Sequence, residues 1–332
     1  MSFSAEAIWR TSTKELLDLI NTGTLAPKTK VIRFYGPSFM YYKTSYYSSS
    51  LTHFPTISLT GTACTLNCKY CEGKVLQTMQ SAESPNKLFT LAKKLKQLGA
   101  FGCLLSGGCL PDGSIPLTRF IPTIEKIKRE LGLTVFIHTG IIRLNTAIAL
   151  KNAGVDAALI DVIGSDETLK QIGNLKVTVK DYADSLKALQ QAGLKFVPHV
   201  IVGLHYGKLK GELDALKLIA SFNPSAIVII AFMPIFGTAM AEIKPPQPTE
   251  ITRVIATARV MFPRTPLALG CVRPKGKRRA ETDILALKAG IDGIAFPHEE
   301  AVGYVKAKQY DFSFSPYCCA QIYIDTFRSS SK

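Results

Sequence analysis

From Phe54 onward, apolar residues gather in short runs, separated by longer stretches in which they recur every three or four positions. The short runs predict strands at residues 56–60, 102–106, 134–138, 157–161, 195–203, 226–232, 266–270 and 293–296. The stretches between them predict helices at 85–98, 118–131, 145–153, 179–192, 212–222, 248–261 and 281–289. Several of these end at a glycine (Gly99, Gly132, Gly154, Gly193, Gly290), as helix C-termini tend to do. Strand alternating with helix means βαβ units and a parallel sheet. Eight such units fit an α/β fold, a (β/α)8 TIM-type barrel, with its active site at the C-terminal ends of the strands. Ahead of the barrel, residues 4–20 read as an amphipathic helix with Leu16, Leu17, Leu19 and Ile20 on its apolar side, followed by an irregular Tyr- and Ser-rich stretch at 34–47. The expected division is an N-terminal extension at 1–53 packed on the barrel, the barrel at 54–300, and a tail at 301–332 capping its mouth. Two Ala-Gly-x-Asp endings, at 153–156 and 289–292, punctuate the barrel and are assigned no chemistry.

Composition narrows the setting. The 332 residues are 47% hydrophobic and 20% charged, enough for a large core. The longest apolar run, 226–236, is interrupted by Pro234 and too short to span a membrane, and residues 1–10 lack a signal-peptide pattern. A soluble cytoplasmic protein is expected, with no membrane partner. Lys and Arg outnumber Asp and Glu by 40 to 25, which favours acidic partners. The dense basic run at 273–279 lacks interleaved aromatics and matches no nucleic-acid module, so an acidic carrier protein is the better expectation than nucleic acid.

Chemistry concentrates in the loop expected after the first strand. Cys64, Cys68 and Cys71 stand at CxxxCxxC spacing, and no second CxxC follows to complete a closed zinc site. Three thiolates in one tight loop can hold three irons of a 4Fe-4S cluster and leave the fourth without a protein ligand. The remaining cysteines add to this. On a barrel, Cys109 after the second strand and Cys271 after the seventh face the same mouth, and a tail folding over it brings up Cys318 or Cys319. These could hold an auxiliary 4Fe-4S cluster; the other reading is scattered buried thiols. Cys103, inside a strand, reads as core.

The segment 64–71 resembles the radical S-adenosylmethionine (SAM) superfamily, in which the open iron binds SAM and an electron splits it to a deoxyadenosyl radical; Tyr70 fits the aromatic common before the last cysteine. The resemblance implies roles for residues at the strand ends. Gly107 and Gly108 match the Gly-Gly of a Gly-Gly-Glu motif that holds the SAM amino group, with Cys109 in place of the carboxylate. His138, Arg143 and Asp161 stand where contacts to the SAM methionyl carboxylate and ribose are expected, and Gly203 ends a strand similar to the one that packs on adenine. Residues 234–238 resemble the Pro-x-x-Gly-Thr turn of biotin-synthase-like members.

Matches at 61–79, 106–117, 138–140, 198–207 and 269–274 are similar to the two-component lipoyl synthase family. That resemblance implies a sulfurtransferase inserting sulfur into an octanoyl chain on a lysine of an acidic lipoyl-carrier protein, in lipoate biosynthesis. A sacrificial auxiliary cluster, a second radical SAM subunit and a reductant protein would accompany it. Single-chain lipoyl synthases carry an N-terminal CxxxxCxxxxxC motif, absent here, while their Arg-Ser-Ser ending recurs at 328–330. The alternatives are a biotin-synthase-like or methylating radical SAM enzyme on a small molecule, or a cluster-holding subunit without catalysis.

Overall fold

The structure, a computed structural model, describes residues 4–26 and 31–328. The chain opens with α1 (Ala5–Arg10) and α2 (Thr13–Asn21), where a single helix is expected. The break is chemical. Ser12 Oγ accepts from Glu15 N at 3.2 Å and Glu15 Oε2 accepts from Ser12 N at 2.8 Å, a capping box that starts a second helix. Leu16 and Ile20 are buried from it, and Arg253 ties the turn down by donating to the carbonyls of Ile8, Trp9 and Thr11. β1 (Val31–Tyr35) follows.

The repeating units then run β2 (Thr56–Ser58), the short β3 (Gln80–Ser81), α3 (Pro85–Gln97), β4 (Gly102–Ser106), α4 (Ile121–Leu131), β5 (Thr134–His138), α5 (Leu144–Asn152) and β6 (Ala157–Asp161). They continue with α6 (Asp166–Gln171), α7 (Val179–Gln191), β7 (Phe196–Val202), α8 (Glu212–Ala220), β8 (Ile227–Ala231), α9 (Pro248–Met261), β9 (Leu267–Leu269), α10 (Lys277–Lys288) and β10 (Gly293–Ala295). α11 (Glu299–Ala307), β11 (Asp311–Ser315) and α12 (Ile322–Arg328) close the chain. All the sheet neighbours are parallel, in the order β11-β1-β10-β9-β8-β7-β6-β5-β4-β2-β3.

The eight expected strands are thus present, in sequence order and parallel, and the (β/α)8 reading holds with one change. Among the described residues the eighth of them, β10, does not pair with the first, β2; β1 takes the edge beside β10 and β11 pairs outside β1. The segment 36–55 bridges this opening, with Ser38 N donating to Phe54 O at 3.2 Å and Phe54 N to Ser38 Oγ at 3.0 Å. The sheet is therefore a partly closed barrel of eleven strands.

The two Ala-Gly-x-Asp endings prove to be one structural device used twice. Asp156 Oδ2 accepts from Val135 N at 2.7 Å and from Lys128 Nζ at 2.6 Å. Asp292 Oδ2 accepts from Leu267 N at 2.8 Å and from Arg259 Nη2 at 2.5 Å. Each carboxylate satisfies a backbone N–H near the start of the neighbouring strand and ties that strand to a helix. One apolar layer lies between strands and helices. A second fills the barrel, where Phe54, Leu104, Phe136, Leu159, Val228 and Ala295 meet the tail residues Cys318, Cys319, Ile322 and Tyr323. The tail was expected over the mouth. Its contacts lie instead inside the barrel and toward the N-terminal ends of the strands, where Tyr323 donates to Asp156 O at 3.0 Å and Tyr317 stacks on Phe101 at 5.2 Å. Among the described residues no helix is long and apolar enough to cross a membrane.

Candidate active site

The loop after β2 is short of regular structure but not of hydrogen bonds. Ser58 donates to Gly61 O at 2.6 Å, and Thr60 Oγ1 donates to Ala63 O at 2.9 Å while accepting from Gly108 N at 2.7 Å. Thr65 N donates to Cys109 O at 3.0 Å, and Lys69 N to Ile172 O at 2.9 Å. The Cys68 thiol lies 3.1 Å from Gly173 O, Asn174 Nδ2 donates to Leu66 O at 3.2 Å, and Glu72 Oε1 accepts from Ala239 N at 2.7 Å. Three separate segments thus pin the loop: the end of β4, residues 172–174 and the turn at 235–239. That pinning sustains left-handed backbone at two non-glycine residues, Asn67 (φ 45°) and Glu72 (φ 44°), an arrangement that persists only where its surroundings over-determine it.

Gly107 and Gly108 carry β4 against this loop. A Cβ on Gly108 would fall 2.0 Å from Ala63 O and 2.6 Å from Cys64 Cα, so no side chain fits. The three loop thiols share one environment: burial and then the neighbouring Cys71, Cys64 and Cys109 thiols push the Cys68 thiol well up, and burial raises Cys71 as well. Among the described residues no three Cys, His, Asp or Glu side chains form a group that could hold a metal ion. A cluster asks for something different, since it divides its thiolates among separate irons. Three thiols on one pinned loop, each within the field of the others, suit that division.

Around the loop stand most of the residues expected to meet SAM. Asp161 ends β6 with Oδ1 buried and without a hydrogen-bond partner; burial raises its carboxyl, opposed by His138. Burial lowers His138, opposed by Asp161, and its ring packs on His199 at 5.2 Å. Burial and then the Cys71 and Asp161 charges raise the Tyr70 phenol. Tyr70 also packs on a small apolar cluster of Ile172, Leu204, Phe232 and Met240. Gly203 closes β7, donating its N–H to Glu212 Oε1 at 2.8 Å. Arg143 departs from this group: it is exposed, and it lines a crevice of about 780 Å³ with Asp112, Lys176 and Lys187.

The expected auxiliary set is divided by the structure. Cys109 belongs beside the loop: burial, then Cys64 and Asp161, push its thiol up to about 12. Cys271, Cys318 and Cys319 form a group of their own. Cys318 and Cys319 pack in one layer with Cys271, whose thiol burial, and then the neighbouring Cys318, push up to about 11. The basic run beside them is partly interior. Arg273 is fully buried, paired with Asp283 at 2.8 and 2.9 Å and donating to the carbonyls of Gly270, Ala295 and Phe296. Arg279 donates to Cys271 O at 3.3 Å. Cys103 is buried in β4, as a core thiol.

Sequence reading missed His199, whose imidazole burial and then His138 lower to about 3, and the buried Tyr182, whose electrostatic neighbours are Asp161, Cys109 and Cys68. A histidine inside an otherwise apolar strand was a visible signal; a tyrosine on the amphipathic α7 was not. Glu212 was missed as well. It is buried with Oε2 unpartnered, and burial raises it to about 7.

A parallel α/β barrel with a three-cysteine loop after its first barrel strand defines a class. Residues 58–216 match the radical SAM superfamily, so a radical SAM enzyme domain occupies that part of the chain and implies a 4Fe-4S cluster and SAM as its cofactors. Among curated relatives, the biotin synthase of Neorickettsia sennetsu is 27% identical over 245 residues, covering 70% of this chain and 72% of that one. The biotin synthase of Prochlorococcus marinus strain NATL2A is 26% identical over 295 residues, covering 85% and 80%. Methylornithine synthase (PylB) superposes with a TM-score of 0.62 at 13% identity over 94% of this chain and 95% of its own. The hydrogenase maturase HydG gives 0.63 at 14% identity over 89% of this chain and 64% of its own. At those identities the two structures speak for the fold alone.

Proposed function

We propose that this chain is a sulfur-inserting radical SAM enzyme of the lipoyl synthase type, acting on an octanoyl chain carried by a lysine of an acidic protein domain, as one of two subunits. The observation that supports it is the second thiol group. Cys271 from the loop after β9 and the pair Cys318 and Cys319 from the tail pack in one layer inside the barrel, with Arg273 and Arg279 donating to the carbonyls of Gly270 and Cys271. Cys64, Cys68 and Cys71 would hold the cluster that, with SAM, supplies a radical able to break an unactivated C–H bond, and Cys271, Cys318 and Cys319 would hold an auxiliary cluster supplying sulfur.

The chain's own residues have plain tasks. The backbone at Gly107 and Gly108 would approach the SAM amino group where a side chain would collide with Cys64. Asp161, with its unpartnered oxygen, is suited to accept from a hydroxyl or ammonium of SAM. Tyr70, Leu204, Phe232 and Met240 form an apolar wall that would exclude water. Exposed Lys69 and Lys275, in loops beyond the strand ends, and Lys277, at the start of α10, suit an acidic carrier. The names of the curated relatives favour a second reading, a biotin-synthase-like reaction on a free small molecule.

The test is anaerobic turnover of reconstituted protein with SAM, reductant and an octanoylated carrier domain, followed by mass spectrometry. A gain of one sulfur on the carrier supports the proposal. Deoxyadenosine without sulfur on the carrier contradicts it in favour of the small-molecule reading, and no deoxyadenosine at all would mean a cluster-holding subunit.

A further inference from the structure

Phe236, on the turn after β8, is 94% exposed, more than any other large apolar side chain among the described residues. The turn that carries it is braced. Thr238 donates through N and Oγ1 to Ile235 O at 3.2 and 2.9 Å, and Ala239 N donates to Glu72 Oε1 on the cysteine loop at 2.7 Å. Lys74 of that loop reaches the same turn, its Nζ 3.0 Å from where a Cβ on Gly237 would stand. The ring is thus held out to solvent on a fixed backbone. An aromatic in that position gains nothing from the fold, and rigid exposed aromatics are the side chains that anchor protein interfaces at least entropic cost.

The surroundings of Phe236 are basic. β7 and β9 flank β8 in the sheet, so the loops after them, 203–211 and 270–276, stand on either side of the Phe236 loop, 232–247. With Arg273 set aside, buried against Asp283, these three loops hold Lys208, Lys210, Lys244 and Lys275 against one acidic residue, Glu242. Lys210 pairs with Glu167, whereas Lys208, Lys244 and Lys275 are exposed. Val272, in the same loop as Lys275, adds a second apolar side chain, 42% exposed. An apolar anchor between cationic loops is complementary to an acidic protein surface. The position selects which acidic protein. The tail fills the barrel toward the N-terminal ends of the strands and the segment 36–55 bridges its open side, so the mouth is the way in. A partner seated on Phe236 lies over that mouth and against the cysteine loop, where a protein must sit if it is to feed a tethered substrate inside. We propose that the loops after β7, β8 and β9 are the docking face for the acidic carrier domain, with Phe236 as anchor and Lys208, Lys244 and Lys275 steering the approach. This rests on the carrier-bound substrate proposed above.

The test measures binding of an acidic lipoyl-carrier domain bearing octanoyl-lysine to the reconstituted full chain, anaerobically and over a range of salt concentrations. Wild-type affinity should fall as salt rises. Phe236→Ala removes a side chain that supports no packing, so it should keep the wild-type melting temperature while weakening binding about 30-fold, the scale of an interface anchor. Lys208→Glu/Lys275→Glu should slow association at least about tenfold at low salt and flatten the salt dependence. The control is Lys195→Glu/Lys308→Glu, the same change in net charge on exposed residues just before β7 and β11, at the opposite ends of the strands; it should bind as wild type. Equal weakening by the two double variants would overturn the face in favour of net charge alone. Wild-type affinity in both Phe236→Ala and Lys208→Glu/Lys275→Glu, with sulfur still transferred to the carrier, would overturn the docking face and leave the lipoyl reading standing. A carrier that wild type does not bind would overturn both. A single-stranded oligonucleotide bound more tightly than the carrier, and released by Lys208→Glu/Lys275→Glu, would overturn the choice of partner.

Discussion

Gly108→Ala offers the sharpest probe of how the fold holds its cysteine loop. Gly108 lies outside the left-handed region, so alanine can adopt its backbone and the perturbation is purely steric. The new methyl would sit 2.0 Å from Ala63 O, short of a comfortable contact of roughly 3.5 Å by about 1.5 Å. Both obstacles, Ala63 O and Cys64 Cα, are backbone and cannot rotate away. Overpacking of this kind costs about 1–3 kcal/mol, and losing the bond from Gly108 N to Thr60 adds about 1 kcal/mol. The strain falls on the segment that presents Cys64. Iron should be held roughly 30- to 700-fold more weakly, at 1.4 kcal/mol per factor of ten. The assay is iron retained against a graded chelator, beside thermal melts of the apo-protein. Gly107→Ala is the control: its Cβ would be 3.2 Å from Thr60 Cγ2 and 3.3 Å from Thr60 Oγ1, contacts only a few tenths of an ångström short that a small shift relieves with the Thr60 hydrogen bonds kept, and its effect should stay under about 1 kcal/mol. Wild-type iron retention by Gly108→Ala would refute the packing argument.

Three further outcomes are expected. Arg273→Met takes from Asp283 its guanidinium partner in a site where both side chains have no exposure, and should lower stability by about 3–5 kcal/mol, read from the denaturant midpoint. Glu212, raised by burial to about 7 from 4.5, keeps its proton when folded and loses it when unfolded, so the wild type loses stability as pH rises between those values, by about 1.4 kcal/mol per unit. Glu212→Gln should therefore gain on the wild type across that window and level off above pH 7; a difference independent of pH would contradict it. His199, lowered to about 3, stays neutral when folded while the unfolded chain takes up a proton below 6.5, so stability falls as pH drops from 6.5 toward 3. His199→Asn should flatten that decline by about one proton in urea titrations at successive pH values.

Much of the barrel was legible because each unit declares itself locally. β4, β5 and β6 occupy the residues that their apolar runs predict, and Gly132, at φ 61°, ends α4 as its position after the helix suggests. What escaped notice depends on distant partners. β1 carries no prediction, and its last two residues fall in the stretch read as irregular, because the strand that supports its outer edge, β11, lies some 280 residues away. The basic run at 273–279 looks solvated until Asp283 and three backbone carbonyls are seen to enclose Arg273. The cysteines divide in the same way. Spacing exposes Cys64, Cys68 and Cys71, whereas only the packing of β4 on their loop assigns Cys109 to them, and only the course of the tail through the barrel brings Cys318 and Cys319 to Cys271.

Two cysteine centres within one barrel are the core of this account, and iron and sulfide counts with Mössbauer spectra test them most directly. The reconstituted wild type is measured beside Cys64/Cys68/Cys71→Ala and Cys271/Cys318/Cys319→Ala. Roughly eight irons in the wild type, falling to about four in each variant, is the predicted result. About four irons in the wild type, retained in full by the Cys271/Cys318/Cys319 variant, would contradict a second centre and with it the sulfur-inserting function.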